Sequence, residues 1–324
     1  MQFGLALAGQ FLPGDDPRTR VAETLEQVRA AREAGFASVW AFQHFLADFQ
    51  FLQPVPLLAR LLSEAGDMHV GTSVLLAPFY PPVLLAEELA TLDVLADGRL
   101  IVGMGAVYRD EEFRAFGVPR AERLDRLAET VQVLRDLWSG APVTHRTSRF
   151  VLENARLRLR PIQGERVSVW IGATGPRGLR QAAQIGDEWL ASPELSLPAV
   201  AQRQKAYRDA LPDGVRPEAK AFPLLREAYV AGSREAAIRT ARPALTTKYE
   251  AYARWGHAVG DFDELTRDSF VFGSVCDCVE QVQRYAAELA TSHLIVRMQW
   301  PGLEQRQVLD SIAAFAEVIA RFPR

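Results

Sequence analysis

His44 is the first residue whose type and setting suggest chemistry: an imidazole among Phe42, Phe45 and Phe49. Burial disfavours the charged form of an imidazole, so such a ring would act near neutral pH as an uncharged proton donor or acceptor. A hydrogen-bonded structural histidine reads equally well from the residues alone. The other four, His69, His145, His257 and His293, are expected to be structural, because they fall at strand starts, in a hairpin and in a loop. Gly172-Ala173-Thr174-Gly175-Pro176-Arg177-Gly178 is a candidate anion loop, since glycine lets the backbone approach a ligand and a helix start presents free N–H groups. It also reads as an ordinary strand-to-helix turn. Arg297 closes an apolar run just before Trp300, and a guanidinium there wants an anionic partner: a cofactor phosphate or an acidic side chain of the protein.

Other chemistries are poorly supplied. Cys276 and Cys278, one residue apart, would be strained as a disulfide and read as capping and packing residues at a helix start. Neither HExxH nor GxSxG occurs, so no metal site and no serine hydrolase is expected. Only Lys205, Lys220 and Lys248 are lysines, which leaves few candidates for a Schiff base. The 37 basic residues against 40 acidic ones, a net charge of −3, form no basic stripe, and a nucleic-acid partner is not expected. No apolar run is long enough to span a bilayer, and Met1 to Ala8 has no basic residue ahead of its apolar stretch. Neither a membrane segment nor a signal peptide is expected, and a cytoplasmic location is the default.

The elements that must position these residues are short apolar runs alternating with helical patterns. Strands are predicted near 2–8, 37–42, 68–76, 100–105, 167–172, 187–191, 222–231 and 292–298, each followed by a helix. An Arg-rich hairpin interrupts the rhythm at 142–165, and a polar loop runs from the end of the helix at 233–256 through Asp268. Eight such units predict an α/β chain folded as a (β/α)8 TIM barrel, one domain over residues 1–324 with inserted segments near 142–165 and 257–272. A doubly wound sheet would want GxGxxG after its first strand, but residues 8–14 lack it and Gly103-Met104-Gly105 has no third glycine. In a barrel, function collects where strands end, which is where His44, Tyr108, Thr174 to Gly178 and Arg297 fall.

Several stretches together resemble the bacterial luciferase-like family of flavin- or deazaflavin-dependent barrel oxidoreductases. They are Glu33 to Trp40 with Gln43-His44-Phe45, Gly71 to Leu76, Leu89 to Asp93 through Asp97-Gly98-Arg99, Gly103-Met104-Gly105 through Tyr108 with Glu112-Phe113 and Phe116-Gly117, Val169 to Gly172, and Gly186 to Leu190. Their order and spacing match the family over essentially the whole chain, residues 1 to about 320.

The resemblance implies a dimer packed through the early helices and a cofactor lying across the strand ends. His44 would be the active-site histidine, and Ser73-Val74 a non-prolyl cis peptide behind the flavin ring. Gly105 and Val107 would edge the cofactor, the loop Thr174, Gly175, Pro176, Arg177 and Gly178 would take its phosphate, and Arg297 would hold cofactor or substrate charge. Val107 stands where the family carries a glycine, and Tyr108 where deazaflavin-dependent sugar dehydrogenases carry an acid. Tyr108 would then donate or orient a proton. Phe79, Tyr80, Tyr249, Tyr252 and Trp255 would form an apolar lid, with Trp300 beside the substrate. The implied function is a two-component monooxygenase that takes reduced FMN from a separate flavin reductase and uses O2 to oxygenate a small organic molecule. One alternative is hydride transfer with F420, its acidic tail in a basic channel begun by Arg177 and Arg226. Another is a flavin-binding accessory protein without catalysis, to which Val107 points.

Overall fold

Capping residues set the strand-then-helix rhythm. In the first helix, α1 (Pro17–Ala34), the Asp16 carboxylate accepts from the Arg18 and Thr19 N–H groups, and Gly35 ends it at φ +87°, in the left-handed region that favours glycine. The computed structural model describes residues 1–257 and 260–323. Its principal strands are β1 (Gln2–Leu7), β2 (Ser38–Ala41), β3 (His69–Thr72), β4 (Leu100–Gly105), β5 (Ser168–Gly172), β6 (Glu188–Leu190), β7 (Pro223–Val230) and β8 (His293–Arg297). The further helices are α2 (Pro54–Ala65), α3 (Pro82–Leu95), α4 (Asp110–Phe116), α5 (Arg123–Trp138), α6 (Pro176–Ile185), α7 (Leu197–Arg208), α8 (Arg234–Arg254), α9 (Phe262–Asp268), α10 (Val275–Leu289) and α11 (Gln305–Ile319).

The strands form one curled parallel sheet in the order β6-β5-β4-β3-β2-β1-β8-β7. Register is plain at its middle, where Gly4 of β1 lies beside Ser38 of β2 and Ile295 of β8. The curl brings the two ends together: Ala191, just past β6, bridges Leu224 of β7, and the Leu225 N–H donates to the Ala191 carbonyl at 3.3 Å. Inside the curl Trp40 stacks on Trp170 with centroids 4.7 Å apart, among Ala6, Leu190, Leu225 and Ile295. Trp40 fits because Gly71 on the next strand has no side chain; a Cβ there would lie 2.4 Å from the indole. The larger core lies outside the sheet, under the helices.

Insertions depart from expectation in detail. The hairpin at 142–165 is present as Val143–Arg146 paired antiparallel with Val151–Ala155. The segment expected as a polar loop up to Asp268 instead contains α9, because Asp261 caps the Asp263 and Glu264 N–H groups while Leu265 is buried. Val271–Gly273 adds a ninth strand to the free upper edge of β7. Residues 258 and 259 of the expected insertion lie outside the described residues. Among the described residues no helix is long and apolar enough to cross a membrane.

Candidate active site

A cavity of about 550 Å³ opens at the C-terminal ends of the strands, and residues that follow β2 to β6 converge on it with α8 and β8. Its wall begins with the Ser73–Val74 peptide, which is cis. The Val74 side chain reaches over β4 and β5: a Cβ on Gly105 would come within 2.7 Å of one of its methyls, so only glycine suits that position. Val107 takes φ +66°. The valine therefore holds the left-handed backbone expected of a glycine, a conformation disfavoured for a β-branched residue.

His44 ends the strand-to-loop run after β2 with its ring boxed by Phe51, Tyr108, Tyr252 and Trp255 at 5.3 to 5.9 Å between centroids. Its Nδ1 lies 3.4 Å from Glu112 Oε1 on α4. The carboxylate only accepts, so Nδ1 carries the proton and Nε2 is free for a ligand. The same oxygen accepts from the Phe45 N–H at 2.9 Å and from Arg109 Nη1 at 3.3 Å. Arg109 also donates to the Phe45 carbonyl at 2.6 Å and lies 4.4 Å over the Trp255 ring. Burial lowers the His44 pKa, against the pull of Glu112. The imidazole is thus held neutral and oriented.

Across the cavity His257 Nε2 meets Glu194 Oε1 at 2.5 Å, and Ser192 Oγ donates to the same oxygen. Burial alone would raise the Glu194 carboxyl, but His257, Ser192 and its own backbone N–H together outweigh it and hold it below the ordinary value. Tyr108 sits between the two imidazoles, 4.9 Å from His257, with its hydroxyl buried and unpartnered. Burial raises that hydroxyl's pKa far above the usual range, so it acts as a donor and not as an anion.

Arg297 lines the cavity, but its charge is committed. It grips Glu227 of β7 through Nε at 3.0 Å and Nη2 at 2.6 Å. Glu227 also accepts from Lys248 Nζ, from Tyr249 Oη at 3.0 Å and from Trp300 Nε1 at 2.5 Å. Burial would raise this carboxyl, yet the Arg297 and Lys248 charges pull it down to about 2. Burial, then Arg297, pushes Lys248 down to about 7. Of the two partners left open for Arg297 by the sequence, the acidic side chain is the one present.

The other end of the cavity is made by Thr174, Gly175, Pro176, Arg177 and Gly178, the start of α6, with Arg120 and Arg123 opposite. Unpaired N–H groups and arginines there suit a phosphate. Ser73, Tyr108 and Gln181 belong to the same cavity wall, and their Oγ, Oη and Oε1 atoms are buried without a hydrogen-bond partner. Buried polar atoms are normally paired, so the wall fits a polar ligand with an anionic end, as FMN is.

The structure thus brings together His44, Tyr108, Ser73, Val74, Gly105, Val107, the 174–178 loop, Arg297, Tyr249 and Tyr252. It does not bring Phe79, Tyr80, Trp255 or Trp300 to the cavity wall, and Trp255 instead packs on the His44 ring with its indole N–H donating to Asp48. Phe79 stacks on Phe116 at 4.6 Å in a separate aromatic cluster. The Tyr80 hydroxyl accepts from Gln43 Nε2 at 2.5 Å. Trp300 is fully buried, its indole turned to Glu227. Arg226 begins no channel: it is fully buried, stands outside the cavity wall and lies 5.1 Å over the Tyr285 ring. Sequence reasoning missed Glu112, Glu194, His257, Glu227 and Lys248. Arg109 and Glu112, three residues apart on a helical turn, and Glu227 inside an apolar strand were the available signals.

Residues 1–292 match the model of the luciferase-like monooxygenase family, and the chain belongs to that family of oxidoreductases. It is 26% identical over 302 residues to 4-hydroxyprotoasukamycin monooxygenase of Streptomyces nodosus subsp. asukaensis, covering 87% of this chain and 81% of the relative. It is 33% identical over 174 residues to F420-dependent glucose-6-phosphate dehydrogenase of Microbacterium testaceum, but that match spans only 49% of each chain. Among solved structures, the monooxygenase RslO1 of Streptomyces bottropensis superposes with a TM-score of 0.89 at 23% identity over 99% of both chains, a likeness of fold.

Proposed function

We propose that the chain is the oxygenase of a two-component system: a single (β/α)8 barrel, closed at the Ala191–Leu224 bridge, that takes reduced FMN from a separate flavin reductase and oxygenates a small organic substrate with O2. The observation that carries the reading is one cavity with unpartnered Ser73, Tyr108 and Gln181 atoms along its wall and a phosphate seat at α6. Two things favour FMN over F420: Tyr108 stands in place of an acid, and the monooxygenase relative matches over most of the chain. A cytoplasmic homodimer is part of the proposal, and the exposed apolar residues Val83, Leu84, Val94 and Leu95 of α3 support the dimer.

Bound reduced FMN supplies the electrons that activate O2. The chain's own residues do the rest. The α6 N–H groups and Arg177 hold the phosphate, and Ser73 and Tyr108 meet polar edges. Glu112 keeps the His44 Nδ1 proton in place, so that Nε2 accepts or returns a proton at the reacting oxygen. Tyr108, Tyr252 and Trp255 exclude water.

F420 remains the second reading, favoured by Arg120, Arg123 and Arg177 together at one end of the cavity, a group that suits an acidic tail. Turnover under isotopically heavy dioxygen with a flavin reductase and FMN tests the choice. Label in the product supports oxygenation; unlabelled product formed with F420 and without O2 refutes it.

A further inference from the structure

Oxygenation as outlined leaves one carboxylate–imidazole pair of the cavity unused. With Nε2 of His257 held at 2.5 Å by Glu194 Oε1, Nδ1 is the nitrogen left to meet a ligand. Ser192 fixes the carboxylate from behind, and Glu194 stays ionised despite burial because His257 and Ser192 hydrogen-bond it. An imidazole backed by a buried carboxylate is a base. The pair faces Tyr108 at 4.9 Å and Tyr252 at 6.1 Å, two rings that suit a flat ligand. The other titratable groups near it are His44, Lys248 and Arg297. Among the described residues, Glu194 is the one acid on a wall that carries Arg120, Arg123 and Arg177 besides Lys248 and Arg297, which are paired with Glu227. Such a wall favours an anion.

We propose that His257, positioned by Glu194, takes the proton from a ring hydroxyl of the substrate, and that the substrate is a planar hydroxyaromatic compound bound as its phenolate against Tyr108 and Tyr252. The substrate O–H bond breaks, the proton bonds to His257 Nδ1, and the electron pair stays on the oxygen. The imidazolium so formed is balanced by Glu194 and stays hydrogen-bonded to the phenolate oxygen it has deprotonated. The inference rests on the oxygenase reading only in placing substrate in this cavity.

The flavin-free protein is titrated with 4-nitrophenol, whose phenolate is coloured, and the absorbance of the bound dye is followed against pH. In the wild type the bound dye should ionise about one pH unit or more below the free dye, a tenfold shift or larger. His257→Gln should return it to within a few tenths of the free value, and Glu194→Gln should return it part of the way. Histidine NMR on the wild type gives a second readout should a variant not fold: His257 should become protonated as the dye binds. No binding by the wild type, an unshifted ionisation, or the same shift in His257→Gln overturns the proposal; the last would place the effect on Lys248 and Arg297. Neither flavin nor turnover enters this titration, so its failure leaves the oxygenase reading standing and is distinguishable from failure of that reading.

Discussion

Two regions at the rim of the sheet bury carboxylates and use them differently. At β7, β8 and α8, Glu227 is saturated by five hydrogen bonds from Arg297, Lys248, Tyr249 and Trp300. In the other region, Glu112 and Glu194 each hold one imidazole and leave its second nitrogen to the cavity. Both arrangements offset the desolvation of a charge, but only the second leaves a titratable atom facing a ligand. A fully partnered charge fixes structure; a partly partnered one can move protons.

The largest effect should come from breaking the saturated region. Glu227→Gln leaves two buried cations short of a counter-charge and should cost about 3–5 kcal/mol in urea unfolding. The wild type should show the matching pH dependence. The folded pKa is about 2 against an ordinary 4.5, so the Glu227 contribution is complete above the unfolded value and is lost as pH falls toward about 2. The acid decline should be shallower in Glu227→Gln. In the imidazole region, His44→Asn should lower turnover by about 10²–10⁴-fold while its urea midpoint moves far less than that of Glu227→Gln. A His44 variant that unfolds but, where folded, turns over normally would erase the distinction between the regions. Arg177→Ala should weaken FMN binding about tenfold, read by fluorescence, without a change in stability. Smallest, Val107→Gly should stabilise by up to about 1 kcal/mol, since glycine relieves a left-handed valine but brings more unfolded-state entropy.

The same contrast separates what the sequence makes legible from what it hides. Most of the principal strands are legible because they centre on a buried apolar run, as in Leu224 and Leu225 of β7 or Leu294 to Val296 of β8, whereas β3 has only Val70 and is marked by its flanks, Met68 and Leu75-Leu76. The short helices α4 and α9 are not, since seven residues carry too little periodicity and a cap such as Asp261 decides the matter. His44 can be singled out because its aromatic neighbours stand beside it in the chain. His257 cannot, because its partner Glu194 lies 63 residues away and nothing local marks either. Trp300 misleads because sequence shows that an aromatic ends a strand, not that its indole stays off the cavity wall and turns to Glu227.

An anaerobic equilibrium titration of the protein with reduced FMN and, separately, with reduced F420 tests the central claim most directly. The account predicts saturable binding of reduced FMN, weakened in Arg177→Ala, with F420 binding more weakly. Tighter binding of F420 than of FMN would contradict it.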